Sequence, residues 1–290
     1  MQIKKRSKKM RCDLHTHTVH SDGSFTPKEL ISAAKEADVI IALTDHNTVS
    51  GLPEFLKEAE RQGVSAVGGV ELSTEQDGKE FHLIGLFVAP EFYSSVEQLC
   101  LDFHERKRQS NINLIERLCD AGYQLDFSEV SKMNVNGRVN RAHIAKRLVE
   151  KGYVNSIPEA FEKLLDEARG FYTPPVRISL ADGIKFLREI KAVPILAHPL
   201  KEISAERLRE ILPALKEAGL VAIETMHSSY SDEHIALSKE IAKEFCLLES
   251  GGSDFHGAIR PGVKLGVGRG NLNIDSEIFD ALLEAKNEIN

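Results

Sequence analysis

The sequence predicts an α/β protein built on a parallel sheet or barrel. Three observations support this class: strand-like apolar runs alternate with helical patterns, polar side chains recur where the strands end, and one long stretch interrupts the alternation. A chain of 290 residues exceeds the usual one-domain length, yet α/β barrels of this size commonly form a single unit. One barrel with an insertion and two separate domains are therefore both open.

The first run of alternating elements ends near residue 88. In chain order it comprises strand MRCDLH, helix FTPKELISAAKEA, strand VIIALT, helix PEFLKEAERQG and strands VSAVGGVEL and EFHLIGLFV. Thr26 is the expected cap of the first helix, and Pro27 belongs to its first turn. Strands that alternate with helices indicate βαβ units, which require parallel pairing.

The alternation stops near residue 100 and resumes after residue 177. Four helical segments follow one another in this interval, which predicts a helical insertion over residues 101–177 that caps the substrate. The flanking parts, 1–100 and 178–290, should form one barrel. The second part reads as SLADGIKFLREIKA (helix), VPILAHP (strand), SAERLREILPALKEAG (helix), LVAIETM (strand), SDEHIALSKEIAKEF (helix), CLLESGGSD (strand) and a last helix near residues 275–288.

Composition excludes several classes of protein. With 42% hydrophobic and 28% charged residues and no membrane-length apolar run, the chain reads as a soluble globular protein without a membrane partner. A net charge of -7 argues against a large nucleic-acid-binding surface, although a local positive pocket can hold a phosphate. The four scattered cysteines suit reduced thiols in the cytoplasm. The basic start, MQIKKRSKKMR, reads as a cytoplasmic N-terminus or, alternatively, as an RNA-contacting tail.

Histidines and carboxylates recur at or near the ends of the predicted strands. The candidate metal ligands are His15, His17, Asp22, His46, Glu71, His82, His198, Asp254 and His256, with Asp45 next to His46. The carboxyl ends of parallel strands meet at one edge, so these side chains should converge. The other histidines, His20, His104, His227 and His234, are expected to be solvent-facing or structural.

Single motifs are less specific than the set. His82 alone fits a hydrogen-bonded core residue, and Asp45 with His46 fits a helix cap as well as a metal site. His15 and His17 are stronger candidates, because alternate residues of an extended segment point the same way. Nine candidates exceed what one ion needs, so two or three ions are expected. Imidazole and carboxylate ligands without thiolate suit Mn²⁺, Fe²⁺ or Zn²⁺, and clustered divalent ions commonly serve phosphate-ester hydrolysis.

The motifs DLHTHTVHSDGS, ALTDHNT, GGVELS, FHLIGLF, ILAHP and GGSDFHG resemble, in order, those of the polymerase and histidinol phosphatase (PHP) family of metal-dependent phosphoesterases. The resemblance implies a distorted (β/α)7-type barrel with a trinuclear centre, in which manganese is the first candidate metal. It implies that His15, His17, Glu71 and Asp254 hold one ion, that Asp22, His46 and His256 hold a second, and that Glu71, His82 and His198 hold a third. Glu71, Asp22 and His256 are the candidate catalytic residues, and Asp45 is expected to orient a ligand.

The predicted insertion also resembles one subgroup of this family. NRAHIAKRLVEKGYV, EAFEKLL and FYTPPVRIS are similar to the inserted segment of nucleoside 3',5'-bisphosphate phosphatases and short-RNA 5'-to-3' exonucleases. Arg141 and His143, near a helix start, are the candidate phosphate clamp. Arg177 is a candidate substitute for a basic residue that the subgroup has near position 175. The alternative role of Arg177 is a surface salt bridge. The alternatives for the other two are an exposed surface position for Arg141 and helix packing for His143.

The leading functional hypothesis is hydrolysis of a nucleotide phosphomonoester by a metal-bridging hydroxide. The first candidate reaction removes the 3'-phosphate from adenosine 3',5'-bisphosphate, and a related activity on short RNA would use the same attack. Histidinol phosphate hydrolysis is a second enzymatic alternative. A non-enzymatic accessory module is the third, as in polymerase-attached domains whose metal centre has decayed.

Overall fold

The computed structural model describes residues 10–133 and 139–289, so the predicted basic tail at residues 1–9 lies outside the described residues. The chain divides into two compact units. One comprises the chain up to Glu97 and from Ile178 onward, and the other runs from Gln98 to Arg177.

The first unit contains one mixed sheet. Its strands are β1 Arg11–Asp13, β2 Val39–Leu43, β3 Ala66–Gln76, β4 Lys79–Leu86, β5 Ile178–Ser179, β6 Val193–Leu196, β7 Ala222–His227 and β8 Leu248–Gly252. Seven of them pair in the order β1-β2-β3-β4-β6-β7-β8, and the short β5 pairs with β3. Because β1 and β8 also approach one another, the seven strands form a nearly closed barrel.

Helices connect most of the parallel strands, as the sequence predicts. The described helices are α1 Pro27–Ala37, α2 Leu52–Gln62, α3 Tyr93–Asp120, α4 Phe127–Ser131, α5 Arg141–Glu150, α6 Ile157–Ala160, α7 Leu180–Glu189, α8 Pro199–Glu202, α9 Ala205–Ala218, α10 Asp232–Glu244 and α11 Ser276–Glu288. Thr26 caps α1 as predicted: its side chain accepts a hydrogen bond from the Glu29 N–H while the Glu29 carboxylate accepts one from the Thr26 N–H.

The expectation of parallel pairing is wrong for β4. This strand is antiparallel to both β3 and β6, whereas the other neighbours along the seven-strand path are parallel. Asp77 and Gly78 connect β3 to β4 with positive φ values of 53° and 74°. Two left-handed residues suit a two-residue hairpin turn, which can only join antiparallel strands. The Asp-Gly pair was therefore a readable signal for the hairpin.

Strand alternation separates the barrel core from the polar residues. Cys12 and Leu14 join a cluster of buried apolar side chains from β1, β2, β4, β6, β7 and α11. Successive side chains of an extended segment point to opposite faces, so His15 and His17 lie on the other face from Cys12 and Leu14. The same segment thus contributes to the core and to the polar site.

Gly252 allows β8 to approach β1 closely. A Cβ atom on Gly252 would lie only 2.3 Å from His15 Cβ and 2.5 Å from His15 N. The backbones also bond directly, since the Leu14 N–H donates to Gly251 O at 3.1 Å and the Asp254 N–H donates to His15 O at 2.9 Å. These contacts bring the residues that follow β1 next to those that follow β8.

The second unit, taken by itself, is helical over its described residues. It contains most of α3 together with α4, α5, α6 and a π-helical turn at Phe161–Leu165. A separate core of buried side chains, including Leu114, Ile144, Leu148 and Leu165, holds these helices together. The unit thus has its own hydrophobic cluster.

Neither a membrane-length helix nor a disulfide bond occurs among residues 10–133 and 139–289. In these ranges, every helix is either too short or too polar to span a bilayer. The four cysteines are free thiols, as the sequence predicts. Two of them, Cys12 and Cys100, are buried, and the other two are exposed.

Candidate metal centre

The predicted ligands of the barrel unit converge at one place. His15 and His17 follow β1, His46 follows β2, His198 follows β6, and Asp254 and His256 follow β8, while Asp22 lies in the loop before α1. Glu71 and His82 lie within the longer strands β3 and β4. The structure thus brings all nine side chains into a single polar cluster, which we call the nine-residue site.

Glu71 lies at the centre of this site and is fully buried. Its Oε1 is 2.9 Å from His82 Nδ1 and 3.3 Å from His198 Nε2. Its Oε2 is close to three imidazole nitrogens: His15 Nε2 at 3.1 Å, His17 Nε2 at 3.2 Å and His46 Nδ1 at 3.0 Å. The two oxygens of one carboxylate therefore face two different sets of imidazoles.

The other two carboxylates differ in exposure. The Asp254 side chain is only 3% exposed, and its Oδ1 lies 3.3 Å from His17 Nε2 and 3.4 Å from His256 Nδ1. The Asp22 side chain is 48% exposed, and its Oδ1 lies 3.2 Å from His256 Nε2. Asp22 is therefore the carboxylate of the site that solvent reaches most easily.

The nine side chains form overlapping groups with the spacing of metal ligands. Four such groups draw only on the nine: His17, Asp22, His46 and His256; His15, Glu71 and His198; His15, His17 and Asp254; and His46, Glu71 and His82. Several ligand atoms are buried without an acceptable hydrogen bond, namely His15 Nε2, both His17 nitrogens, His46 Nδ1, Glu71 Oε2, His82 Nδ1, His198 Nδ1 and His256 Nε2. Buried polar atoms normally find partners, so this set fits cations, and its imidazole and carboxylate chemistry fits Mn²⁺, Fe²⁺ or Zn²⁺.

For each of two histidines, a hydrogen bond determines which ring nitrogen faces the nine-residue site. His15 Nδ1 lies 3.0 Å from Glu224 Oε1, and His256 Nδ1 lies 2.9 Å from the Asp254 carbonyl oxygen. Both partners can only accept, so each Nδ1 carries a hydrogen, and in the neutral imidazole each Nε2 then keeps the lone pair. These are the tautomers that a metal ligand requires.

His227 has the opposite tautomer. Its Nδ1 accepts from the Ser229 N–H at 3.2 Å, so the hydrogen is on Nε2, which lies 3.2 Å from Asp254 Oδ2. His227 belongs by distance to a fifth group, with His198 and Asp254. Its tautomer makes it a hydrogen-bond donor to Asp254 rather than a metal ligand. His227 was expected to be solvent-facing or structural, and its exposure of only 1% leaves the structural alternative.

Glu224 is the important residue that sequence reasoning missed. It is fully buried in β7, accepts from His15 through Oε1 and accepts from the His198 N–H at 2.8 Å through Oε2. Glu224 therefore joins the residue that follows β1 by two positions to the one that follows β6 by two positions. A lone glutamate within the apolar run LVAIETM was the signal that could have found it, because such a buried carboxylate needs partners.

Asp45 fastens the loop after β1. Its Oδ1 accepts from the Thr18 N–H at 2.7 Å and from the Ser21 hydroxyl at 2.6 Å, and its Oδ2 accepts from the Thr18 hydroxyl at 2.6 Å. This loop contains Asp22. Asp45 thus positions the loop and lies outside the metal-spaced groups.

Two ligand candidates have backbone conformations that are unusual for residues with side chains. His198 has φ 32° and Asp254 has φ 56°, both in the left-handed region. Such conformations cost about 1–3 kcal/mol and persist only where the surroundings enforce them. Here the enforcing contacts include the Glu224 bond to His198 and the His15 bond to Asp254.

Charge is shared unequally among the imidazoles. Burial lowers the pKa of His17, but the nearby carboxylates of Asp254 and Glu71 outweigh it and raise the pKa to about 9. Burial also opposes protonation of His82, yet the Glu71 carboxylate raises that pKa to about 10. Burial dominates for two further histidines, lowering the pKa of His46 to about 3 and that of His198 to about 4.

The buried carboxylates stay ionised. Burial raises the pKa of Glu71, but the surrounding imidazoles, with His15 first, bring it well below its ordinary value. The pKa of Asp254 is lowered in the same way against burial, again with His15 as the largest lowering influence. The site is therefore strongly attractive to positive charge.

The candidate substrate residues belong to the second unit. The Arg141 guanidinium lies 4.1 Å from the centre of the Tyr172 ring and donates to Leu165 O at 3.1 Å. His143 belongs to a capping box with Asn140: the Asn140 N–H donates to His143 Nδ1 at 3.1 Å and the His143 N–H donates to Asn140 Oδ1 at 3.1 Å. The cap thus occupies two of the N–H groups expected to be free at this helix start. Arg177 is partly buried.

Known proteins similar to this chain include three bacterial enzymes. A 5'-3' exoribonuclease from Escherichia coli is 30% identical over 84% of this chain and 84% of its own length. A phosphoribosyl 1,2-cyclic phosphate 1,2-diphosphodiesterase from Eggerthella lenta is 30% identical over 84% of this chain and 94% of its own length. A 3',5'-nucleoside bisphosphate phosphatase from Chromobacterium violaceum is 29% identical over 84% of this chain and 86% of its own length.

Solved structures support the same fold. An amidohydrolase from Chromobacterium violaceum, with bound sulfate and no metal, superposes with a TM-score of 0.79 at 26% identity, over 95% of this chain and 96% of that chain. A protein from Bifidobacterium adolescentis assigned to the metal-dependent phosphoesterases superposes with a TM-score of 0.77 at 24% identity, over 94% of this chain and 95% of that chain. The expected PHP-type barrel is thereby confirmed.

The family profile agrees with these matches. The profile of the PHP domain matches residues 13–173, which is more than half of the chain. The match begins just before His15 and includes six of the nine site residues. This chain belongs to the PHP family of metal-dependent phosphoesterases.

Proposed function

We propose that the nine-residue site binds two or three divalent ions, with Mn²⁺ the first candidate and Fe²⁺ or Zn²⁺ the alternatives, and that the chain hydrolyses nucleotide phosphomonoesters. The first candidate reaction is removal of the 3'-phosphate from adenosine 3',5'-bisphosphate. The observation that carries the proposal is the set of overlapping ligand groups joined through Glu71. One residue shared between groups is the arrangement that closely spaced ions need.

The proposed ligand sets follow the contacts of Glu71. His15, His17 and Asp254 would hold one ion with Glu71 Oε2, and His82 and His198 would hold another with Glu71 Oε1. The distances from each oxygen to these imidazoles, 2.9 to 3.3 Å, support this division. His46 Nδ1 also lies 3.0 Å from Glu71 Oε2, so His46 adjoins the first set as well as the third. A further ion would be held by Asp22, His46 and His256, a set supported by their metal-like spacing with His17.

The burial or exposure of each side chain suggests its role in the proposed reaction. Divalent ions bound here would lower the pKa of water and neutralise charge on a phosphate ester. Glu71 would hold neighbouring ligand sets together, while Glu224 keeps His15 and His198 in place. Asp22 is the most exposed carboxylate of the site and would be the first of these residues to meet an incoming substrate, and its Oδ1 lies 3.2 Å from Nε2 of the buried His256. We therefore assign Glu71, Asp22 and His256 as the catalytic residues.

Two of the three relatives support a nucleotide or RNA substrate, and the third is named for a phosphoribosyl cyclic phosphate. One is named for nucleoside bisphosphate hydrolysis and another for 5'-3' exoribonuclease activity, at nearly equal similarity to this chain. Hydrolysis of short RNA is therefore the second candidate function. The full set of nine residues argues against the accessory-module alternative, which supposes a decayed centre.

A comparison of substrates tests the proposal. We expect Mn²⁺-loaded protein to hydrolyse adenosine 3',5'-bisphosphate with a higher kcat/KM than histidinol phosphate or a short oligoribonucleotide. Release of phosphate or of nucleotide would be measured under identical conditions. A higher value for the oligoribonucleotide would replace the first candidate by the second. No hydrolysis of any ester with Mn²⁺, Fe²⁺ or Zn²⁺ would refute the proposed activity.

The site should depend on the charge of Glu71. Glu71→Gln keeps the shape but removes the negative charge that five imidazoles surround, so metal content should fall and turnover should drop by a factor on the order of 100 or more. Glu75→Gln, on the same strand but partly exposed, is the matched control and should behave like wild type. Elemental analysis and steady-state kinetics would measure both effects. Full metal content with a wild-type rate would exclude the bridging role.

Metal binding should strengthen as pH rises. The carboxylates raise the pKa of His17 to about 9 and that of His82 to about 10, so both imidazoles are protonated at neutral pH before metal binds. A cation must displace these protons, and its affinity should increase by about tenfold per pH unit for each displaced proton up to those pKa values. Mn²⁺ titrations at pH 6.5, 7.5 and 8.5 would measure this. An affinity that does not change with pH would contradict the assignment of His17 and His82 as ligands.

The proposed clamp in the second unit gives a separate expectation. Arg141→Ala should lower kcat/KM for adenosine 3',5'-bisphosphate by roughly 10- to 200-fold, from a charged hydrogen bond worth about 1.5 to 3 kcal/mol. Hydrolysis of nitrophenyl phosphate should change little, because that ester has no second phosphate.

Arg147→Ala is the control for the Arg141 variant, since Arg147 lies in the same helix and pairs with Glu129. Thermal unfolding of both variants would detect loss of the Arg141 contact with Tyr172. Equal kinetic losses on both substrates would mean that Arg141 serves the reacting phosphate or the fold. Unchanged kinetics on both would remove Arg141 from the site.

A further inference from the structure

Arg260 brings a positive charge from an exposed loop to the nine-residue site. Its guanidinium donates a hydrogen bond through Nη1 to Asp254 Oδ2. The Arg260 side chain is 36% exposed, whereas the Asp254 side chain is 3% exposed. The guanidinium therefore links solvent to a buried carboxylate of the site.

Asp254 does not depend on Arg260 for its hydrogen bonding. Its Oδ2 also receives the Nε2–H of His227 at 3.2 Å, and its Oδ1 faces His17 at 3.3 Å. The Oδ2 atom that accepts from Arg260 therefore keeps the His227 donor if the arginine turns away. The contact with Arg260 is thus replaceable, unlike the contacts of a purely structural ion pair.

The backbone around Arg260 is held firmly in place. The Ala258 N–H donates to Ser24 Oγ at 2.8 Å, and the Ser24 N–H donates to His256 O at 3.1 Å. Farther along, the Gly266 N–H donates to the buried carboxylate of Asp13 at 2.7 Å. The loop thus fixes where the arginine begins, and the long side chain can change its partner without moving the loop.

The sequence around Arg260 is locally positive in an acidic chain. Residues 255–274 contain Arg260, Lys264 and Arg269 and no aspartate or glutamate, although the whole chain carries a net charge of -7. This segment follows Asp254 directly. Its charge attracts anions to the same edge of the barrel at which the ligand candidates lie.

We propose that Arg260 is a substrate-binding residue that exchanges the Asp254 carboxylate for the oxygens of the substrate's phosphate group. An arginine can donate two parallel hydrogen bonds to a phosphate. A phosphate group carries more negative charge than the Asp254 carboxylate, whose single charge also interacts with imidazoles. The inference rests on the proposed function, since it takes a phosphate ester as the substrate. It differs from the Arg141 clamp in naming a residue of the barrel unit itself.

Binding of inorganic phosphate tests the proposal without relying on turnover. We expect Arg260→Ala to weaken phosphate binding to the Mn²⁺-loaded protein by roughly 10- to 100-fold, measured by calorimetry, while metal content stays at the wild-type level. Arg260→Lys keeps the positive charge but loses the paired donors, so its phosphate affinity should lie between those of wild type and Arg260→Ala. In kinetics with adenosine 3',5'-bisphosphate, KM should rise more than kcat falls.

Arg209→Ala is the matched control. Arg209 is also partly buried and also pairs with carboxylates, those of Glu240 and Glu244, but it joins α9 to α10 instead of entering the site. It should bind phosphate like wild type. Unchanged phosphate affinity in Arg260→Ala would overturn the proposal, and so would loss of metal from that variant, because Arg260 would then serve to support Asp254. If phosphate binding falls as expected while no ester is hydrolysed, the proposed activity fails and Arg260 is a phosphate-binding residue without the substrate role.

Discussion

The constraint on which the rest of the site depends is the burial of the Glu71 charge. A carboxylate removed from water is costly unless positive charge and hydrogen bonds compensate it. Five imidazole nitrogens, carried by four different parts of the chain, lie within 3.3 Å of its two oxygens. They can reach it because β2 and β4 flank β3 while β1 and β6 are the next strands on either side, so the order of strands in the barrel and the position of this carboxylate depend on one another.

A surrounding layer of hydrogen bonds keeps the ligand candidates in that arrangement. Glu224 connects His15 to His198, while His227 holds Asp254, and Asp13 accepts from the Ser253 N–H at 2.8 Å. Each of these contacts joins residues from different strands. The left-handed backbone at His198 and Asp254 is tolerated because this layer fixes both residues. The positions of the ligand candidates therefore depend as much on residues that bind no metal as on the ligand candidates themselves.

The sequence predicted the convergence of the ligand candidates better than it predicted their surroundings, for physical reasons. His15, His46 and His198 follow strands, and strand ends of a parallel sheet converge whatever the details of packing. Glu224 and His227 were not assigned to the site because they lie in an apolar strand. A single polar residue in such a strand belongs to no sequence pattern from which its contacts could be inferred. The antiparallel β4 was missed although Asp77-Gly78 signalled a hairpin, since alternation elsewhere favoured parallel pairing. Contacts of Arg141 with Tyr172 depend on tertiary packing that no local pattern encodes.

The number of bound ions determines how much positive charge a side chain such as Arg260 must add to neutralise the substrate. With neutral imidazoles the nine-residue site carries three negative charges, from Asp22, Glu71 and Asp254. Two divalent ions would leave it at about +1, and three would leave it at about +3. A phosphate ester with two negative charges therefore exceeds the charge of a two-ion site but not that of a three-ion site. In the first case Arg260 would be needed to neutralise the substrate, and in the second it would serve mainly to orient it. The effect of removing Arg260 on phosphate affinity should thus be larger with two ions bound than with three, which links the loop after Asp254 to the nuclearity of the centre.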